Sequence, residues 1–284
     1  MASPFATAAD WMILHASARR HAWKGEGWLS IKSFSGGRAQ YSVGSGLHAV
    51  GDDSYLILNH GRTYTVEIDA TEPVESFCVF FSRDFAADAL RTSRKADSEL
   101  LDLESNCSAP VEFFEKNYRH DQTVTPVLRK LKRTHQHCER TALEEQMHRL
   151  IVAIVKAHGE SVREADRLPN VRAATRHELY RRAARARDFA DALFSEPITL
   201  KQIATAAALS PNHLMRVFAQ VYRQTPHEFL TARRIAEAKK LLSSTAMSVT
   251  EICFAVGFQS LGSFSSLFYR QIGKSPTGFR ASNK

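Results

Sequence analysis

Between residues 27 and 81 apolar positions recur every second residue, in short runs. Residues 28–34 form one run, followed by a Gly36-Gly37 turn and a second run over 39–43. Residues 55–58 lead through Asn59-His60-Gly61 into an alternating stretch at 63–68. Residues 76–81 are rich in aromatic and β-branched side chains. Short, regularly spaced strands with Gly, Asn and Asp turns predict a small β-barrel or jelly roll. Ahead of it, 6–20 reads as a helix or an arm anchored by Trp11, Ile13 and Leu14. Behind it the period lengthens to that of helices, over 83–92 and 123–158. Leu143, Met147, Leu150, Ile151, Ile154 and Val155 share one stripe of the second. Periodicity leaves two readings of that stripe open, packing on the barrel or pairing of two subunits. The charged stretch 159–170, ending in Leu168-Pro169-Asn170, reads as a linker.

From residue 199 one pattern occurs twice. Thr199-Leu200-Lys201-Gln202-Ile203-Ala204 is matched by Ser248-Val249-Thr250-Glu251-Ile252-Cys253, and Leu209 by Phe258. Leu214, Val217 and Phe218 are matched by Phe264, Leu267 and Phe268, and Thr225-Pro226-x-x-Phe229 by Ser275-Pro276-x-x-Phe279. The offset grows by one residue midway, so the second copy has a longer turn. Self-similarity of this kind marks a repeated structural unit. Thr199 with Gln202, Ser248 with Glu251, and Thr225 with Glu228 have the spacing of capping boxes. Ser210-Pro211 and Thr225-Pro226 place a capping hydroxyl before a proline at the first helical position.

Each copy therefore reads as a helix-turn-helix. In the first, Leu214, Val217, Phe218 and Val221 point inward, leaving Asn212, His213, Arg216 and Gln220 outward. In the second, Leu261, Ser263, Ser266 and Arg270 are left outward. The joining helix, from about 226 to 243, would be roughly 27 Å long. That spacer suits two recognition helices about one DNA turn, roughly 34 Å, apart on one face of a duplex.

These residues resemble the DNA-binding domain of the AraC/XylS family of bacterial transcription regulators. The resemblance covers 176–280. It is carried by Ile203-Ala204, Leu209-Ser210, His213-Leu214-x-Arg216-x-Phe218, Arg233-x-x-x-Ala-x-x-Leu241-Leu242, Ile252-x-x-x-Val256-Gly257-Phe258, Phe264-x-x-x-Phe268 and Ser275-Pro276-x-x-Phe279-Arg280. It implies a promoter-binding regulator that contacts RNA polymerase, an activator by analogy, with a cupin-like N-terminal sensor or dimerisation domain. The chain departs from the family at Ser266, where an arginine is usual, which weakens the base readout expected of the second copy. The fold class that follows is α+β. A cupin-like barrel with flanking helices (1–165) and a linker (166–175) precede an all-α domain (176–284) with two helix-turn-helix motifs joined by a helix.

Charge agrees with that division. Residues 176–284 hold 16 Lys/Arg against 7 Asp/Glu, or +9, so the remainder is −1 of the net +8. The positive charge lies with the duplicated helices, as binding to a polyanion requires. Phosphates would supply affinity and base edges specificity. Arg216 has the shape for bidentate contact with guanine, and Asn212 and His213 sit in the first turn of the same helix. In the second copy Leu261 could meet a thymine methyl, and Ser263 and Ser266 offer short hydrogen bonds. Lys239, Lys240, Lys274 and the helix starts at Thr250 and Ser275 are phosphate candidates. Arg181, Arg182, Arg185 and Arg187 form a basic run that either touches phosphate or is simply exposed.

Candidate chemistry elsewhere is thin. His48 and His60 lie near strand ends, without the His-x-His, Glu and distant His of a barrel metal site. His135 and His137 point apart on a helix. No metal or cofactor is expected, and no enzymatic activity. Trp28, Tyr41, Tyr55, Tyr64 and Phe80 either line an effector pocket in the barrel or fill its core. Cys78, Cys107, Cys138 and Cys253 share no metal-binding spacing and read as reduced, buried thiols of a cytoplasmic protein. No apolar run is long enough to span a membrane. Two rivals stand beside the regulator. One is a cupin-type metal enzyme with a DNA-binding appendage, the other a non-specific architectural DNA binder.

Overall fold

The computed structural model describes residues 10–89, 112–169 and 172–282. Contacts divide the chain into two compact units, Met1–Arg181 and Arg182–Lys284.

The described part of the first unit holds strands β1 (Trp11–Gly27), β2 (Leu29–Ser35), β3 (Ala39–Val43), β4 (Gly46–Val50), β5 (Ser54–Leu58), β6 (Arg62–Phe81) and β7 (Asn117–Arg119). They form one antiparallel sheet in the order β4-β3-β6-β2-β5-β7, with β1 paired along β6, curled into a nearly closed barrel. Residues 83–89 are helical. Helices α1 (Thr125–Thr134) and α2 (Arg140–Asp166) follow.

Alternation explains two cores on one sheet. In β6, Phe77, Val79 and Phe81 face the helices, while Cys78 and Phe80 face the barrel interior. In β5, Tyr55 and Ile57 go to the helix side, and Leu56 and Leu58 to the interior. Successive strand residues point to opposite faces, so one strand serves both cores. The helical stripe Leu143, Met147, Leu150, Ile151 and Ile154 is buried in the first of these cores. Its packing partner is therefore the sheet of its own chain.

Several expectations are corrected. The described part of 6–20 is neither helix nor arm. It belongs to a 17-residue strand, because β6 supplies a pairing partner along almost its whole length. The two runs at 63–68 and 76–81 are one 20-residue strand. It stays continuous past an irregularity at Ala18/Arg20, where the register with β1 shifts. The helical reading of 123–158 holds, as two helices separated after Thr134. The stretch read as a linker from 159 is helical through Asp166, because Ala157, Ser161 and Ala165 recur at four-residue spacing as a buried face. Small residues carry that face, and a scan for large apolar ones passes over it.

Helix α3 (Ala173–Ala192) contains the division between the units. Its early turns belong to the first, where buried Tyr180 accepts a hydrogen bond from Lys116 and donates to Glu164 at 2.6 Å. The second unit continues with α4 (Leu200–Ala206), α5 (Pro211–Tyr222), α6 (Pro226–Ser244), α7 (Val249–Ala255), α8 (Leu261–Ile272) and α9 (Pro276–Ala281). Each copy of the repeat has its own core. Ile203, Ala204, Leu214, Phe218 and Phe229 pack in the first, and Ile252, Cys253, Val256, Phe264 and Phe268 in the second. Helix α6 gives Phe229 to one core and Ile235, Ala238 and Leu242 to the other, so it ties the two copies together.

Candidate nucleic-acid interface

The second helix of each motif is fixed from both ends. Ser210 Oγ accepts from the His213 amide at the start of α5, and Ser260 Oγ from the Ser263 amide at the start of α8. Both helices are 12 residues long and end on a left-handed residue, Arg223 (φ 56°) and Gly273 (φ 77°). The caps sit 50 residues apart, whereas Leu209 and Phe258 sit 49 apart. The inserted residue is thus Gln259, in the turn, where it disturbs neither helix.

The inner faces are buried as their spacing requires. Leu214, Val217 and Phe218 hold α5, and Phe264 and Phe268 hold α8. The outer face of α5 presents Asn212 and Arg216 exposed, with His213 and Gln220 half-buried. Among the described residues Arg216 makes no hydrogen bond or ion pair, so its guanidinium is available to a partner outside the chain. The outer face of α8 presents Leu261, Ser263, Ser266 and Arg270, all exposed. In register, Arg216 corresponds to Ser266, and Gln220 to Arg270. The second copy therefore carries its cation one turn later.

The phosphate candidates differ among themselves. Thr250 is exposed in the first turn of α7. Lys274 is exposed and donates to Ser282 Oγ at 3.2 Å, a bond a surface lysine exchanges easily. Lys240 lies 3.9 Å from Glu237. Lys239 is half-buried with Nζ 5.7 Å from the Phe279 ring centroid, the least accessible of the set.

Much of the basic charge is structural. Arg181 lies 3.6 Å from Glu112 and over the Phe114 ring. Arg182 donates to the Ala208 carbonyl at 3.0 Å, and Arg187 pairs with buried Asp188 at 2.6 Å. The early basic run therefore serves the fold at three of its four positions. Arg233 pairs with Asp191 and Glu237 beneath the surface, Arg234 donates to the Phe194 and Glu196 carbonyls, and Arg280 to those of Leu242 and Met247. Charge counting cannot separate these cations from those left for DNA. Exposed Lys201, in the first helix of the first copy, and Arg223, at the end of its recognition helix, were not among the phosphate candidates. Tyr269 and Phe254 were missed as well, at 61% and 56% exposure on the second copy.

In the first unit, Tyr41, Tyr64 and Phe80 line an interior cavity of about 210 Å³. Trp28 packs against the same interior cluster, whereas Tyr55 faces the helices and donates to Asp121 at 2.7 Å. Cys78 and Cys253 are buried free thiols and Cys138 is half-buried; Cys107 lies outside the described residues. Among the described residues no three His, Cys, Asp or Glu side chains cluster as metal ligands, and no helix is long and apolar enough to cross a membrane.

A helix-turn-helix domain family matches residues 203–282, which takes in both copies. The chain is 32% identical over 87 residues to the melibiose operon regulatory protein of Escherichia coli, covering 31% of this chain and 29% of that protein. It is 38% identical over 87 residues to the transcriptional activator RhaS of Escherichia fergusonii, covering 31% of each. The chain thus spans less than a third of the length of these curated relatives. Among solved structures it is similar to the C-terminal domain of AraT, a response regulator from Geobacillus stearothermophilus. That likeness has 31% identity and a TM-score of 0.35, over 36% of this chain and 84% of that one.

Proposed function

The C-terminal domain of this chain is a DNA-binding domain of the AraC/XylS type, and from that premise we propose that the whole chain is a sequence-specific transcription regulator. Its two recognition helices, α5 and α8, would enter successive major grooves of promoter DNA. Arg216 would read guanine, with Asn212 and His213 beside it, and Ser263, Ser266 and Leu261 would make weaker contacts in the second groove. Arg270, Gln220, Thr250, Lys240, Lys274 and, less directly, Lys239 would line the backbone. The barrel would sense a small molecule in its cavity. Activation, by analogy with the activator RhaS, and contact with RNA polymerase, by family analogy, fit this reading, as does a place in the cytoplasm. If subunits pair through 123–158, they would use the outer face of α2, where Val152 is exposed.

The observation that carries the reading is the unengaged outer face of α5. An exposed arginine with no partner among the described residues stands on a helix that is capped at its start and packed along its inner face. A purely architectural binder needs positive charge, but it has no use for two polar faces of such different composition. The test is selection of random duplex DNA on the intact protein near 0.15 M salt, alongside Arg216→Ala. Two conserved blocks about ten base pairs apart, one of them degraded by Arg216→Ala, are expected. Binding that is salt-sensitive but without sequence preference, with and without candidate effectors, would favour the architectural reading instead.

A further inference from the structure

The barrel interior contains a lysine that no carboxylate of the cavity lining neutralises. Lys32, on β2, is 1% exposed. Its Nζ donates to Tyr64 Oη at 3.1 Å and lies 3.5 Å from the centroid of the Phe80 ring. Both Tyr64 and Phe80 line the cavity with Lys32, and the lining contains no Asp or Glu. Burial lowers the Lys32 pKa to about 8, and the one charge effect on it is from Cys78, a thiol that burial keeps protonated. Among the described residues the amine is held by a phenol and aromatic faces, with no carboxylate in the cavity lining.

A buried ammonium without a carboxylate is costly, and a methionine of the same length would fill the space more cheaply. Pairing with a ligand removes that cost. We propose that the cavity binds a small apolar monocarboxylic acid, whose carboxylate meets Lys32 and whose body lies among Met12, Leu14, Trp23 and Phe80. This rests on the sensing role proposed above for the barrel. Tyr64, whose oxygen accepts from Lys32, keeps its own proton and can donate it to the second carboxylate oxygen. The size is bounded as well. A cavity of about 150 Å³ holds benzene, so about 210 Å³ admits one ring or a short chain bearing the acid group. A phosphate would need more donors than one ammonium and nearby hydroxyls provide.

The experiment is calorimetric titration of the full chain with phenylacetate and hexanoate, each paired with its primary amide. Quenching of the fluorescence of the chain's three tryptophans, of which Trp23 lines the cavity, serves as a second readout, and a melting curve checks that each variant folds. The acids should bind at least tenfold more tightly than the amides. Lys32→Met should abolish that preference without lowering the melting temperature, and Lys32→Arg should retain part of it. Absence of acid binding, equal binding of acid and amide, or an acid preference that survives Lys32→Met would each overturn the assignment. The sensing role is tested separately by repeating DNA titrations with the ligand present. Acid binding that leaves DNA affinity unchanged removes the sensing role and keeps the site. Amide binding that shifts DNA affinity does the reverse.

Discussion

At the turn of the first helix-turn-helix stands Ala208, with φ 52°; at the matching place in the second stands Gly257, with φ 88°. Both turns close with the same bond, Leu209 N to Ala204 O at 2.9 Å and Phe258 N to Cys253 O at 3.1 Å. Their surroundings differ. Ala208 is exposed, and Arg182 holds its carbonyl. Gly257 lies against the Phe194 and Ser195 carbonyls, and a Cβ there would come within 2.8 and 2.7 Å of them. Arg234 fixes the same loop by donating to Phe194 O at 2.7 Å. One repeated backbone thus tolerates a side chain where its turn faces solvent, and demands glycine where its turn is packed.

The sharpest way to break the comparison is Gly257→Ala. The new methyl meets two backbone carbonyls in a loop that Arg234 holds at Phe194 and Glu196, at a φ that side chains resist. Together these should cost roughly 2–5 kcal/mol and lower the melting temperature of the second unit by many degrees. A loss under about 0.5 kcal/mol would mean that the 194–196 loop yields, and that the second turn is no more constrained than the first.

Next in size is the difference in base readout. Arg216→Ala should remove about 1–3 kcal/mol of discrimination between the selected site and random DNA, roughly fivefold to 150-fold. Ser266→Ala, at the matching position, should change it by no more than a few-fold. Arg270→Ala should instead weaken binding to all sequences alike and reduce the salt slope by about one. Titrations of the three variants against both DNAs check this. If Ser266→Ala lost the discrimination and Arg216→Ala did not, the ordering of the two copies would be reversed.

The repeat was readable before any coordinates because it is local. Capping boxes at Thr199 and Ser248, prolines after Ser210 and Thr225, and aromatic spacing in α8 are all set within a few residues of chain. The continuity of β6, the strand at β1 and the helical turns after Gly159 were not readable. A strand is defined by a partner that, for Trp11, stands at Phe81, and a buried face of Ala157, Ser161 and Ala165 lacks the bulk that marks a core. The site divides in the same way. Which residues of α5 and α8 point outward follows from period alone. Which arginines are already taken depends on contacts such as Arg233 with Asp191, 42 positions away. Lys32 lay in an alternating strand where nothing local distinguishes an inward lysine from an outward one.

The first helices of the two motifs offer a third contrast. Gln202 closes the capping box at Thr199, with its Oε1 2.8 Å from the Thr199 amide. Glu251 closes the other, with its Oε2 2.6 Å from the Ser248 amide. Thr199→Ala and Ser248→Ala should each cost about 1 kcal/mol at neutral pH. Only the second cap responds to acid. Hydrogen bonds with the Ser248 side chain and backbone lower the Glu251 pKa, so its contribution is complete above the ordinary carboxylate pKa. That contribution fades as pH falls through the lowered value. Amide protection at the start of α7, measured against the intrinsic exchange rate at each pH, should therefore fall on acidification, while that at the start of α4 should not. Glu251→Gln should make the two ends behave alike.

The smallest effect expected is at Ala208, and its sign is informative. A non-glycine residue in the left-handed region costs about 1–2 kcal/mol, which Ala208→Gly would recover. Glycine in turn loses more backbone freedom on folding, about 0.5–1 kcal/mol. The methyl has no burial to lose, because Ala208 is exposed. The balance is a gain of between about 0 and 1.5 kcal/mol, measurable in urea as a higher midpoint at unchanged slope. If Ala208→Gly destabilised the chain instead, the methyl would be holding the turn that presents α5. Loosening it should then appear as weaker readout through Arg216, with the second copy unaffected.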